Sequence, residues 1–456
     1  MDDPRIVLLI FAFSFILIFS EVVHRAVAAW FGSTLVLVYG HMSGVFDTHG
    51  DSLEHAMLGW IEFEVIGLLL GMMVFAALLE ICGFFEYIAV KATKLSGGDP
   101  WKLLVILGTF TPLISIAIDN VTAVIIIAPV TVKICNRAEI NPVPLLIAEA
   151  LLSNIGGVAS MVGDPPNVMI AAKAHTMPEI ADLFGFNGFL FRLGLLTLFA
   201  WILTIFYFKW YYNEWTQKKP SGVEEILEMD EWDAVSDKRL MNSTLLILSL
   251  TVLFFSAKEF LHLEVEIHAI ALAGAGIALF VSRPVEEDLR EGFINDVIEK
   301  VEWQALIFFA GLFILVGSVE NVGYLNDLAT WIFENFGSDP VVLAVAIIWV
   351  SAVASAVVDN IPFTAAMIPV IVEITEASGG TLSAAPLFWA LAMGAGFGGN
   401  ATPIGSSANV MVVAISERSP YPLTTFEWMK VGIPVMVLSC AVATVFMVLF
   451  HGTLYS

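Results

Sequence analysis

Three cysteines in 456 residues, 14% charged residues, and 20 Lys and Arg against 44 Asp and Glu already limit what this chain can be. Cys82, Cys135 and Cys440 stand singly in or beside apolar runs, with no metal-ligand spacing. They read as buried thiols, because an unpaired Cys behaves as a small hydrophobe. A net charge of −24 and a pI near 4.6 argue against nucleic acid as a partner. So little charge beside 58% hydrophobic residues, with a mean hydropathy of +0.85, excludes a soluble protein and points to a polytopic membrane protein in a lipid bilayer. Much of the acid falls in two stretches, Glu224 to Asp237 and Glu286 to Glu299, which read as solvated loops. The start, Met1-Asp2-Asp3-Pro4-Arg5, lacks the basic region of a cleaved signal peptide and is expected to stay as the first span.

What is present is a repeat. Glu62, Gly71, Glu80, Gly83, Asp99-Pro100, Asp119-Asn120 and Pro129 recur 240 residues later as Glu302, Gly311, Glu320, Gly323, Asp339-Pro340, Asp359-Asn360 and Pro369. With two inserted residues the register continues. Gly156-Gly157 through Ser160 to Gly163 and Asn167 returns as Gly398-Gly399-Asn400 through Thr402 to Gly405 and Asn409. Paired halves with glycine-interrupted apolar segments in corresponding places point to a secondary transporter whose site lies where the halves meet.

Apolar runs able to span lie at about 5–20, 26–42, 60–82, 186–210, 241–258, 265–282, 303–320 and 427–450, given the roughly 20 residues a membrane helix needs. Segments 143–175 and 385–416 are too long for one helix, and each is expected to be a discontinuous span broken at its glycines. Segments 101–134 and 341–375 carry Asp-Asn in the middle. Each fits either two crossings or a re-entrant hairpin with Asp-Asn at its tip. The hairpin reading predicts an all-α fold of two inverted-topology repeats with five spans each, at 1–215 and 241–456, joined by a cytoplasmic linker over 216–240. Threaded so, all Lys and Arg but Arg5, Lys173, Arg192 and Lys258 fall on one side. The positive-inside rule makes that side cytoplasmic and puts both termini outside.

An aspartate and an amide in hydrocarbon cost several kcal/mol unless satisfied, so each Asp-Asn pair is a site hypothesis. Asp119 and Asn120, with Thr122, and Asp359 and Asn360, with Thr364, supply hard oxygen ligands for a small cation, Na+ above all. Converging helix N-termini suit an anion. Gly156, Gly157, Gly163, Gly398, Gly399 and Gly405 permit close backbone approach, while Asn154, Ser160, Asn167, Asn400, Thr402 and Asn409 offer neutral hydrogen bonds. Helix-packing glue is the competing reading of these small and polar residues. Glu80 and Glu320 fit interfacial anchoring as well as proton carriage.

The stretches Asp119-Asn120-Val121-Thr122, Ser153-Asn154-Ile155-Gly156-Gly157 through Gly163-Asp164-Pro165-Pro166-Asn167, and Gly398-Gly399-Asn400-Ala401-Thr402-Pro403-Ile404-Gly405 resemble the ion transporter superfamily. Within it they look like the ArsB arsenite permeases and the melanosomal P protein and, more distantly, the sodium-coupled dicarboxylate carriers. The resemblance implies a homodimer, a scaffold with a moving transport domain, and elevator-type alternating access. It also implies that hairpin tips and unwound loops hold ion and substrate. In the dicarboxylate carriers the tip reads Ser-Asn-Thr; here Asp119 and Asp359 replace the serine, a change that repels a dianion and provides a group for H+ or Na+.

The expected function is secondary active transport of a small oxyanion or neutral acid resembling arsenite, or of a small organic anion, coupled to H+ or Na+, with no cofactor, in the plasma (inner) membrane. The alternative is Na+/H+ antiport on the two Asp-Asn pairs. A remoter one is an intramembrane aspartyl protease, suggested by paired aspartates and a partial Gly163-Asp164 motif.

Overall fold

The computed structural model describes residues 3–20, 22–46, 48, 52–217, 230–284, 286–323, 339–379, 381–417 and 419–456. Part of the anticipated linker, including Lys218, Lys219 and Glu224, lies outside the described residues. Among those described there are helices and no strands. The first half holds α1 (Pro4–Ser20), α2 (Arg25–Ser43), α3 (Leu53–Gly59), α4 (Phe63–Ile81), α5 (Phe84–Ser96), α6 (Pro100–Ser115), α7 (Asn120–Ala138), α8 (Val143–Val158), α9 (Pro165–His175) and α10 (Phe186–Tyr211). The second holds α11 (Lys238–Phe260), α12 (Ile267–Ser282), α13 (Glu287–Lys300), α14 (Trp303–Asn321), α15 (Pro340–Val357), α16 (Asn360–Ala377), α17 (Ala385–Gly398), α18 (Ser407–Ser416) and α19 (Thr425–Phe450). Eight described helices are long and apolar enough to cross a membrane, with α2 and α4 the first and α19, continued to Tyr455, the last.

The repeated residues begin these helices for local reasons. Asp-Pro at 99–100 and 339–340 is an N-cap followed by proline at the first helical position, where a missing N–H costs nothing. The Asp99 carboxylate accepts the Lys102 N–H, and Asp339 accepts those of Val341 and Val342. Gly83 and Gly323 both adopt φ +78°, a left-handed conformation at the ends of α4 and α14 that glycine takes without strain. The stretch from Glu286 to Glu299, expected as a solvated loop, is instead helical over Glu287–Lys300. It turns Phe293 and Val297 inward while Glu291, Asp296 and Glu299 face out, an amphipathic pattern too short and too charged for a span.

The helices pack in two groups. α1 and α2, with their repeat-mates α11 and α12, surround α4 and α14, and the mates exchange partners: α2 lies on α14 and α12 lies on α4. A Cβ on Gly71 would come 2.8 Å from the Ala271 carbonyl carbon, and one on Gly311 would come 2.9 Å from that of Ala29. Ala29 and Ala271 are themselves 242 residues apart, so one close helix crossing is built twice. The second group contains α6 to α10 and α15 to α19; it meets the first along α4 with α9 and along α14 with α16.

α4 and α14 run in opposite directions. Glu62 at the start of α4 and Glu320 near the end of α14 line one cavity of about 370 Å³. At the other end, Glu80 of α4 pairs with Lys300, just before α14, at 2.5 Å. Lys300 and Glu302 line a second cavity, of about 650 Å³. Nineteen helical residues put the two ends about 28 Å apart.

Candidate functional site

Both long glycine-rich segments break where the glycines are. α8 ends at Val158 and α9 starts at Pro165; α17 ends at Gly398 and α18 starts at Ser407, with two short 3-10 turns between. A broken helix frees backbone carbonyls that must find donors when buried. Asn167 and Asn409, one in each half, supply them: Asn167 Nδ2 donates to the carbonyls of Gly157, Val158 and Ser160, and Asn409 Nδ2 to those of Gly399 and Thr402. Ser160 and Thr402 sew each break to the neighbouring tip. Their hydroxyls donate to the Ile116 and Ala356 carbonyls and accept the Gly163 and Gly405 N–H groups. A Cβ on Gly157 would lie 2.7 Å from the Gly163 oxygen, and one on Gly399 2.7 Å from the Gly405 oxygen. These glycines, amides and hydroxyls build the breaks themselves.

The tip aspartates are also N-caps. Asp119 caps α7, accepting the Thr122 N–H at 3.0 Å and the Thr122 hydroxyl at 2.6 Å, and is 3% exposed. Asp359 caps α16 by accepting the Ile361 N–H. Its second oxygen accepts from the Ser407 hydroxyl at 2.7 Å and from the Arg25 guanidinium at 3.2 Å; Arg25 also bonds Ser407. The Na+ ligand set expected at Asp119, Asn120, Asp359 and Asn360 is therefore divided: each carboxylate turns to its own helix, and one is held by a cation.

It is the asparagines of the two tips that meet. Asn120 Nδ2 lies 3.4 Å from Asp164 Oδ1, and Asn360 Nδ2 lies 3.3 and 3.4 Å from the two Asp164 oxygens. Asp164 precedes α9 in the first break and is 1% exposed. Asn154 joins the halves beside it. It accepts from Asn120 at 3.0 Å and from the Ser406 hydroxyl at 3.2 Å, and donates to the side-chain oxygens of Asn400 and Asn409 at 3.0 Å each. Two atoms of this buried cluster, Asn120 Oδ1 and Asn400 Nδ2, have no hydrogen-bond partner among the described residues. Thr364, expected at the second tip, sits one turn into α16 with its hydroxyl likewise unpartnered.

Asp164 stands within a motif of the sequence without being among the expected site residues. Its repeat-mate is Ser406, so a search for what recurs passes over it. The available signal was a carboxylate inside an apolar segment directly before Pro165-Pro166. Glu149 was missed as well: it is fully buried in α8, accepts the Thr131 hydroxyl at 2.6 Å, and leaves its other oxygen unpartnered. Glu80 and Glu320 are both ion-paired, with Lys300 and with Lys173. Glu62 and Glu302 precede α4 and α14 and face the two cavities. Arg25 and Ser407 line the larger cavity; Asp164 lines neither and is buried.

Two discontinuous helices meeting two capped turns, inside an apolar helical body, define a membrane transporter rather than an enzyme. The chain belongs to the CitMHS family, described as citrate transporter, whose family model matches residues 15–394. It is 35% identical over 438 residues to an uncharacterized transporter of Mycobacterium tuberculosis, covering 96% of both chains. It is 31% identical over 505 residues to the human P protein, covering 95% of this chain and 58% of that one. In fold it is similar to the YdaH transporter of Alcanivorax borkumensis, with TM-score 0.61, 15% identity, and 95% of this chain and 100% of that chain covered. It is also similar in fold to MtrF of Neisseria gonorrhoeae, with TM-score 0.58, 12% identity, and 93% and 94% covered.

Proposed function

We propose that this protein is a secondary active transporter of a small organic anion, coupled to H+ or Na+ at Asp164, working by alternating access. The observation that carries the reading is the convergence of Asn120 and Asn360 from the two tips on one buried carboxylate. A carboxylate in a low-dielectric interior with only amide donors is stable when a proton or a metal cation neutralises it. Asn120 Oδ1, unpartnered nearby, is a further hard oxygen. The anion would enter through the larger cavity, where the Arg25 guanidinium, shared with Asp359, and the start of α18 at Ser407 offer donors to a carboxylate. The family's description as citrate transporter makes a carboxylate anion the first substrate to try; arsenite, suggested by the permease resemblance, is the second.

The antiparallel course of α4 and α14 supports two inverted repeats, with the turns at 116–119 and 358–359 as tips of re-entrant hairpins. The division into two helix groups supports a scaffold, containing α4 and α14, against which the tip-bearing group moves as an elevator. A homodimer in the plasma membrane with both termini outside completes the proposal.

The test is internal pH in proteoliposomes after an external Na+ step, with and without citrate or arsenite. A flux that requires citrate, and is lost in Asp164→Asn, is the expected result. Proton flux driven by Na+ alone would replace this reading with Na+/H+ antiport; a flux only with arsenite would change the substrate. Citrate uptake that is unaffected in Asp164→Asn would remove Asp164 from the coupling site.

A further inference from the structure

Away from the tips, three elements bring metal-ligating groups to one point. Glu64 lies in the first turn of α4, His175 is the last residue of α9, and Glu266 is the N-cap of α12. One ligand atom from each lies within 4.8 Å of the other two. A second imidazole, His268 in the first turn of α12, lines the same small void of about 10 Å³, about the space of a single water or ion. None of these four side chains has a hydrogen bond or ion pair to another described residue. Two carboxylates and two imidazoles without partners among the described residues, around an ion-sized void, suit a transition-metal cation. Imidazole favours Zn2+ over Mg2+ or Ca2+, which take all-oxygen sites.

We infer that Glu64, His175 and Glu266, with His268 beside them, bind a divalent transition-metal ion such as Zn2+, which ties α9 to α4 and α12. Ligand atoms around tetrahedral Zn2+ stand about 3.4 Å apart, given bond lengths near 2.0–2.1 Å. Glu266, whose side chain is exposed, is free to move toward the other two. α4 and α12 belong to one helix group and α9 to the other, so a bound ion bridges the two. The binding stands on these residues alone. Its consequence, a clamp that holds the two groups in one arrangement and slows transport, rests on the moving-group reading above.

The two parts are tested separately. Zn2+ is titrated into the purified full-length protein against a chelating dye, with wild type, His175→Ala and Glu266→Gln compared and Mg2+ as competitor. One tight Zn2+ per chain is expected, unaffected by Mg2+ and weakened at least tenfold in each variant. Glu266→Gln is exposed and keeps the fold testable if His175→Ala does not fold. A Zn2+-induced rise in melting temperature should be present in wild type and absent in Glu266→Gln. Equal Zn2+ affinity in wild type and Glu266→Gln overturns the site. Where binding follows these residues, Zn2+ should slow flux in wild type and not in Glu266→Gln; an unslowed wild type overturns the clamp and leaves the site standing.

Discussion

The two tips are written with nearly the same residues and do different work. In the first half Asp119 is closed on Thr122 within its own helix, and the neighbouring break contributes Asp164. In the second half Asp359 is held by Arg25 and Ser407, and the break has Ser406 where Asp164 would be. Asn154 likewise has Gly396 as its repeat-mate, and Arg25 has Ile267. The parts that recur build two similar frames, and the parts that do not recur supply the chemistry. The first frame carries a buried carboxylate, Asp164, with amide donors alone, and the second an ion pair, Arg25 with Asp359; the proposed function assigns coupling to the first and the anion to the second.

If that division holds, the largest effect belongs to the acid. Asp164→Ser, which makes the first break resemble the second, is expected to lower coupled uptake in proteoliposomes about a hundredfold or more, since bonds to a charged group are worth about 1.5–3 kcal/mol each. Ser406→Ala should lower it far less. Next is the cation. Arg25→Met leaves Asp359 without its charge partner, and is expected to cost about 2 kcal/mol, discounted from the fully buried case because Arg25 and Asp359 side chains are 31% and 16% exposed. Thermal unfolding in detergent reads that loss, and Ile267→Met, at the repeat-mate, should be nearly silent by comparison.

Two further substitutions test where the halves are alike. Gly157→Ala and Gly399→Ala each force a Cβ to 2.7 Å from a carbonyl oxygen, and should destabilise by similar amounts, about 1–3 kcal/mol. Unequal melting shifts would mean that the frames are not equivalent. The smallest effect is expected at the caps. Asp119→Asn keeps an acceptor for the Thr122 N–H, and Asn caps as well as Asp, so its melting point should change by well under that of Asp119→Ala, which loses about 1 kcal/mol. Should Asp119→Asn instead abolish ion dependence while Asp164→Asn spares it, the coupling acid would move back to the tip.

The repeat and the breaks at 156–163 and 398–405 were legible because each is a local pattern: glycine where backbones touch, Asp-Pro where a helix starts, apolar runs where it spans. The capping role of Asp119 was legible too, in an Asp three residues before Thr122 at the start of an apolar run. Arg25 with Asp359 was not, since 334 residues separate them. Nor was the exchange of partners between α2 and α12, because the faces of a helix apolar all round do not name their neighbours. The amphipathic α13 hid behind its own acids.

Composition and internal similarity alone determined that this chain is a helical membrane protein in two matched halves, broken at matched places, with polar residues concentrated near the breaks. Hydrophobic run length, capping and glycine spacing act over a few residues, so they can be read along the chain. Only the tertiary structure decided which carboxylate stands at the centre. Asp164 acquires its setting from Asn120 and Asn360, which come from different halves, and the energy of a buried charge depends on the groups around it in space rather than on its neighbours in sequence.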